Sequence, residues 1–268
     1  MLPVGEVPRT LREMDGGPKS LALHGKGPLM TGKASDTPAV SSGDAALPPL
    51  DPWGARAKLV RLIGANQIVL DVGCGAGWIA AHLKAQGCRV TGIEIDPELA
   101  AAARPFCERV IVADADNLAE LGLPENHFEV VLFADVLEHL VDPWHTLRSV
   151  RPYLRPTGRV LLSLPNFANY SIRWALLRGQ FRYQESGLFD RDHLRFFTRE
   201  TALELVTQAG LQIIRWETTA NLTQSRPFRA TLGRLPWGQN FFRAVDDRLA
   251  AWFPTLLACQ FILECRLR

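Results

Sequence analysis

From residue 68 onward, short apolar runs alternate with stretches in which apolar residues recur at helical spacing. The runs at 68–72, 89–95, 110–113, 128–133 and 159–164 predict buried strands, and the stretches at 78–86, from Pro97, and at 143–154 predict helices between them. Proline at the head of a helix costs nothing, because its missing N–H lies where no intrahelical partner exists. Upstream, Trp53, Ala57, Val60 and Ile63 fall on one helical face. Strand–helix alternation of this kind predicts an α/β architecture, a mostly parallel sheet with helices on both faces. The rhythm breaks at 165–197, returns as a helix from Thr198 to a stop at Gly210 and a strand at 211–218, and breaks again at 219–258. Residues 261–267 predict the last strand.

Residues 1–50 are rich in Gly, Pro, Ser and Thr and show neither period, so a disordered leader is expected before one domain spanning 51–268, with inserts at 165–197 and 219–258. A formal net charge of +2 gives no reason to expect a nucleic-acid partner. The five cysteines include no C-x-x-C pair, which argues against a disulfide framework or zinc cluster. The start lacks a basic segment followed by an apolar run, and the apolar stretch 249–263 is broken by Pro254 and carries Gln260. A cytoplasmic location is the expectation.

The chemistry begins at Asp71-Val72-Gly73-Cys74-Gly75-Ala76-Gly77, where a strand turns into a helix. Glycine lets the main chain adopt positive φ and approach a ligand closely, and this turn falls at the carboxyl ends of the strands, where open α/β sheets bind ligands. A nicotinamide dinucleotide site, and hence an oxidoreductase, needs the spacing GxGxxG, but its third glycine position is Trp78. Glu94 ends the second strand, where a carboxylate can accept hydrogen bonds from both hydroxyls of a ribose. Asp96 sits beside Pro97 and suits a helix start, and Asp114 follows the third strand.

Asp-x-Gly-x-Gly-x-Gly resembles motif I of class I S-adenosylmethionine-dependent methyltransferases, and the likeness extends over about 55–218. It implies a Rossmann-like, seven-stranded sheet with an inserted substrate-cap region, and S-adenosylmethionine as cofactor. The implied cofactor contacts are Asp71, Gly73, Cys74, Gly75, Gly77, Glu94, Ile95, Asp114, Ala115 and Ala134, with Asp114 receiving the adenine amino group. An NAD-dependent oxidoreductase, which Trp78 argues against, and a non-catalytic module that only binds the cofactor are the alternatives of a different class.

The acceptor is less legible. The stretch Ala134-Asp135-Val136-Leu137-Glu138-His139 lacks the Asn/Asp-Pro-Pro-Tyr pattern of enzymes that methylate base amines. Glu138-His139 resembles a pair that ligates metal in some relatives, but further ligands cannot be named and no metal site is assigned. The insert 165–197 offers aromatic faces, amides and charges that suit a polar ring such as a sugar. Asn166, Tyr170, Arg173, Tyr183 and Arg195 are expected to bind the acceptor, with His193 and His139 as candidate catalytic groups. Asp190-Arg-Asp-His-Leu-Arg-Phe-Phe-Thr198 resembles bacterial methyltransferases of glycan pathways and, in part, ubiquinone-type O-methyltransferases. The resemblance implies methyl transfer to oxygen of a small-molecule or glycan acceptor, with a quinone or natural product as the alternative. Phe228, Trp237, Phe241, Phe242, Trp252 and Phe253, set among arginines in the C-terminal insert, suggest contact with a membrane surface, a dimer partner or a cap over the pocket. Oligomeric state is not readable.

Overall fold

The apolar runs become strands because both of their faces are covered. In the computed structural model, which describes residues 49–220 and 238–268, β1 (Ile68–Val72), β2 (Arg89–Glu94), β3 (Arg109–Val112), β4 (Phe128–Ala134) and β5 (Leu154–Pro165) pair in parallel. Leu70, Val72, Val131 and Phe133 point into one apolar layer, and Val69, Val130, Leu132 and Leu161 into the other. Such two-sided burial is why these strands read as continuous rather than alternating apolar segments.

β6 (Leu211–Ala220) and β7 (Ala258–Leu267) complete a seven-stranded sheet of order β3-β2-β1-β4-β5-β7-β6. β7 runs antiparallel to both of its neighbours. The order reverses between β1 and β4, which opens a crevice at the carboxyl ends of the central strands.

α1 (Ala55–Ile63), α2 (Trp78–Ala85), α3 (Pro97–Ala103), α4 (Pro143–Ser149) and α6 (Arg199–Gln208) flank the sheet; α5 (Tyr170–Leu177) lies within the first insert. The helix expected over 143–154 ends at Ser149, and a tight turn at Arg151–Tyr153 leads into a β5 that starts earlier than the apolar run implied. Asp96 caps α3, its carboxylate accepting from the N–H groups of Glu98 (2.7 Å) and Leu99 (3.3 Å). Thr198 caps α6 in a reciprocal box with Thr201. The second insert contributes α7 (Gly238–Trp252) and α8 (Pro254–Leu257). Buried Lys58 of α1 donates to Thr218 O (2.6 Å) and pairs with Asp247 (2.5 Å), so it ties α1 to β6 and α7.

The leader at 1–48, and Phe228 and Trp237, lie outside the described residues. Among those described, no helix is long and apolar enough to cross a membrane.

Candidate functional site

The glycine turn is shaped by contacts that exclude a side chain. Gly73 has φ 73°, and a Cβ there would stand 2.6 Å from Val136 Cγ2. Gly77 has φ 82°, and its Cβ would meet Ala103 Cα at 2.9 Å, so the close-packing glycine is residue 77 and Trp78 opens α2. The N–H groups of Gly73 and Cys74 donate to Ile93 O (2.8 and 3.0 Å), which pins the loop to the end of β2.

At that end Glu94 is 2% exposed. Its two oxygens accept from the N–H groups of Gly75 (2.8 Å) and Asp96 (3.0 Å), so the carboxylate joins the glycine loop to the α3 cap. Each oxygen keeps a further lone-pair direction, since a carboxylate accepts about four hydrogen bonds. Asp71 is buried and its Oδ2 has no partner. Burial first, then the charge of Glu94, pushes its pKa up to about 7. Asp114 uses one oxygen to accept from Asp116 N (3.0 Å) and start the following turn.

These groups line a cavity of about 810 Å³. Of the residues expected to contact the cofactor, Asp71, Gly73, Cys74, Gly75, Glu94, Ile95, Asp114, Ala115 and Ala134 lie on its wall, as do His139 and His193. Gly77 does not line it; it packs on α3 behind the loop.

The residues expected to bind the acceptor go elsewhere. Asn166 is fully buried, and its Nδ2 donates to the carbonyls of Pro254 (3.2 Å), Thr255 (3.1 Å) and Ala258 (2.8 Å). Arg173 bonds Ala168 O of its own loop, and Tyr183 stands exposed, edge-on to Phe181. Tyr170 begins α5 off the cavity wall, and Arg195 donates to Val141 O while lying over the Trp144 ring. Composition identified a polar insert but not the direction its side chains take. The cavity wall instead includes Pro165, Leu188, Leu194 and Cys259, with Asp190, His193 and Gln260 among its polar members.

One cluster joins the insert to the β4 loop. Glu138, His139 and His193 each offer a ligand atom, all within 4.8 Å of one another. The rings of His139 and His193 meet edge-on at 4.9 Å. Glu138 O accepts from Leu194 N (2.8 Å) and Arg195 N (2.9 Å), and His139 Nδ1 donates to Asp192 O (3.0 Å). That bond assigns the proton to Nδ1 and leaves the Nε2 lone pair free. Glu138 Oε2 and His193 Nδ1 are buried without partners. Burial and Asp135 hold the Glu138 carboxyl well above its usual range, whereas burial and His139 hold His193 below its ordinary value. Unpartnered oxygen and nitrogen atoms of this kind fit a divalent cation. One carboxylate with two imidazoles suits Zn²⁺ or Mn²⁺ better than Mg²⁺ or Ca²⁺, which favour all-oxygen sites.

Two further wall residues carry no sequence motif. Arg56, on the exposed side of α1, is the sole Lys or Arg among the described residues of the wall. Gln260 donates from Nε2 to both oxygens of Asp135 (2.8 and 2.9 Å). Ser163 Oγ donates to the same carboxylate (2.7 Å) and accepts from Asp135 N (2.9 Å). Asp135 has φ 55°, and this clamp holds a conformation that few non-glycine residues adopt.

A doubly wound sheet with an antiparallel β7, a glycine turn and carboxylates at successive strand ends defines a nucleoside-cofactor enzyme. The family model described as "Methyltransferase domain" matches residues 53–215, and the chain belongs to that family as an S-adenosylmethionine-dependent methyltransferase. The chain is 32% identical over 185 residues to a ubiquinone biosynthesis O-methyltransferase of Xylella fastidiosa, an alignment covering 62% of this chain and 72% of that protein. Among solved structures, a SAM-dependent methyltransferase from Archaeoglobus fulgidus superposes with TM-score 0.53 at 18% identity, covering 78% of this chain and 91% of that one. One from Thermotoga maritima, described as a possible histamine N-methyltransferase, gives 0.54 at 17%, covering 80% and 88%. The two structures show the fold. The family match supports the methyl-donor reading over the nicotinamide one.

Proposed function

We propose that this enzyme transfers the methyl group to a hydroxyl of a small acceptor with an apolar, aromatic body, a phenol rather than a sugar. The observation that carries this is the apolar share of the wall: Pro165, Leu188, Leu194 and Cys259 line the same cavity as the Glu138–His139–His193 cluster. Asn166, Tyr170, Arg173, Tyr183 and Arg195, expected to bind a sugar, do not line it, and the relative from Xylella fastidiosa is named for O-methylation in ubiquinone biosynthesis.

Bound in this cavity, S-adenosylmethionine supplies a methyl group already activated on a sulfonium, so transfer asks the protein mainly for alignment. Glu94 holds the ribose hydroxyls, Asp114 the adenine amino group, and the glycine loop lets the methionine portion lie against the main chain. Asp71 would hold the cationic portion, and Arg56 would hold the carboxylate. His193, which lines the cavity and is kept neutral by burial and by its neighbour His139, accepts the acceptor's hydroxyl proton. In the alternative route a divalent cation held by Glu138, His139 and His193 would lower the pKa of that hydroxyl, with His193 a ligand and not the base.

The test is a panel of catechols, simple phenols and free or nucleotide-linked sugars, with S-adenosylhomocysteine release and product mass as readouts. Methyl ethers of phenols are expected. Turnover of sugars with none of phenols would overturn the assignment. Repeating the assay after chelation separates the two proton routes: loss restored by Mn²⁺ or Zn²⁺ assigns the cation, and unchanged rates assign His193 alone.

A further inference from the structure

The first insert holds an exposed surface that the reaction does not use. Ile172 is the one buried residue of α5, and the chain from Arg173 to Gly187 is exposed apart from half-buried Ala175. Trp174 is 57% exposed, Leu177 80% and Tyr183 64%, with Leu176 and Phe181 also open. Trp174 and Leu177, three residues apart on α5, fall on one side of that helix.

An isolated exposed leucine is ordinary, but five large apolar side chains within ten residues are not. The segment does not lack support. Phe167 packs against Phe196 (4.4 Å between centroids) and Phe181 against Phe189 (5.2 Å), so a small aromatic core fixes the platform from beneath. Asn169, the α5 cap, donates to Ala258 O (2.8 Å) at the end of α8. This places exposed Trp252, Phe253 and Leu256 at the same end of the molecule.

Charge decides what the surface fits. Over the exposed stretch 173–187 the chain carries Arg173, Arg178 and Arg182 against a single carboxylate, Glu185. The Arg178 guanidinium lies 4.9 Å from the Trp174 ring centre, so cation and aromatic face are presented together. Aromatic and aliphatic side chains interleaved with arginine match an anionic bilayer, whose headgroups take the cations while the rings enter the acyl boundary. A second copy of this surface would bring like charges together.

We infer that the 173–183 segment docks the enzyme on anionic phospholipid membranes. Gly187, Leu188 and Asp190 follow directly and line the cavity, so docking sets the insert wall of the cavity at the bilayer surface. The location differs from the one suggested by the aromatic residues of the C-terminal insert, of which only the α7–α8 end adjoins it.

The experiment is co-sedimentation of the full chain with vesicles of mixed phosphatidylglycerol and phosphatidylcholine, with pure phosphatidylcholine vesicles alongside. Wild type should bind the anionic vesicles and release them at high salt. Trp174→Ser/Leu177→Ser and, separately, Arg178→Glu/Arg182→Glu should each weaken partitioning by at least about tenfold, with S-adenosylmethionine affinity unchanged as proof of folding. No wild-type binding at low salt overturns the inference, as does equal binding by wild type and both variants. A dimer that Trp174→Ser/Leu177→Ser dissociates also overturns it and assigns the surface to a second copy. No acceptor is needed, so the outcome is independent of the phenol assignment.

Discussion

Asp71 is a buried carboxyl with no partner for Oδ2, and replacing it with asparagine tests what its burial costs. An acid whose folded pKa lies above its unfolded value binds more protons in the native state, so it lends stability below the unfolded pKa and loses it as pH rises towards the folded one. For Asp71 that window runs from about 4 to about 7, and the carboxylate above it faces Glu94 in a site it cannot solvate. An asparagine side chain has nearly the same shape and does not ionise. The cofactor-free Asp71→Asn variant should therefore gain on wild type as pH rises, reaching at most about 4 kcal/mol above neutrality, of which about 2–3 kcal/mol accrues between pH 5 and pH 8. Urea unfolding of both proteins across that range measures it. The cofactor's cationic portion favours ionised Asp71, so binding to wild type near pH 6 should release a proton, visible as a binding enthalpy that changes with the buffer. Asp71→Asn should show no release and weaker binding. A stability difference that does not vary between pH 5 and pH 8 would refute the reasoning.

Other perturbations separate structure from chemistry. His193→Ala should lower kcat by roughly 100-fold while leaving cofactor affinity intact, and in wild type the acidic limb of kcat should fall below the ordinary histidine pKa because burial and His139 lower it. Equal kcat in wild type and variant would reduce His193 to an anchor. Gly73→Ala places a Cβ against Val136 in a left-handed conformation, and should lose about 1–3 kcal/mol in thermal unfolding, with partial recovery when Val136→Ala is added. Asn166→Ala strands buried carbonyls at the α8 end and should cost about 1–3 kcal/mol of stability with cofactor affinity unchanged; a selective loss of acceptor binding instead would return Asn166 to the site.

The cofactor half was legible because its determinants are local. A glycine turn and three carboxylates each lie at or just beyond the end of a strand, so Asp71, Glu94 and Asp114 converge once the strands align in parallel. The acceptor half depends on contacts across long separations. His139 and His193 meet through a carbonyl 53 residues away, and no periodicity announces that pairing. Arg56 sits on a helix face indistinguishable in sequence from a solvated one. Asn166 shows the converse failure: an amide in a polar insert looks available, yet its protons satisfy carbonyls where β7 begins. The boundary at Ser149 moved because Pro152 interrupts the helical pattern, a break that apolar spacing alone does not register.

The cofactor assignment turns on Glu94, the buried carboxylate that joins the glycine loop to β2. Calorimetric titration of S-adenosylhomocysteine into wild type and Glu94→Gln addresses it directly, with circular dichroism to confirm the fold. Loss of charge-assisted bonds worth about 1.5–3 kcal/mol predicts affinity weaker by roughly 10- to 100-fold. Affinity within about threefold of wild type, in a folded variant, would contradict the placement of the ribose and with it the assignment of this cavity.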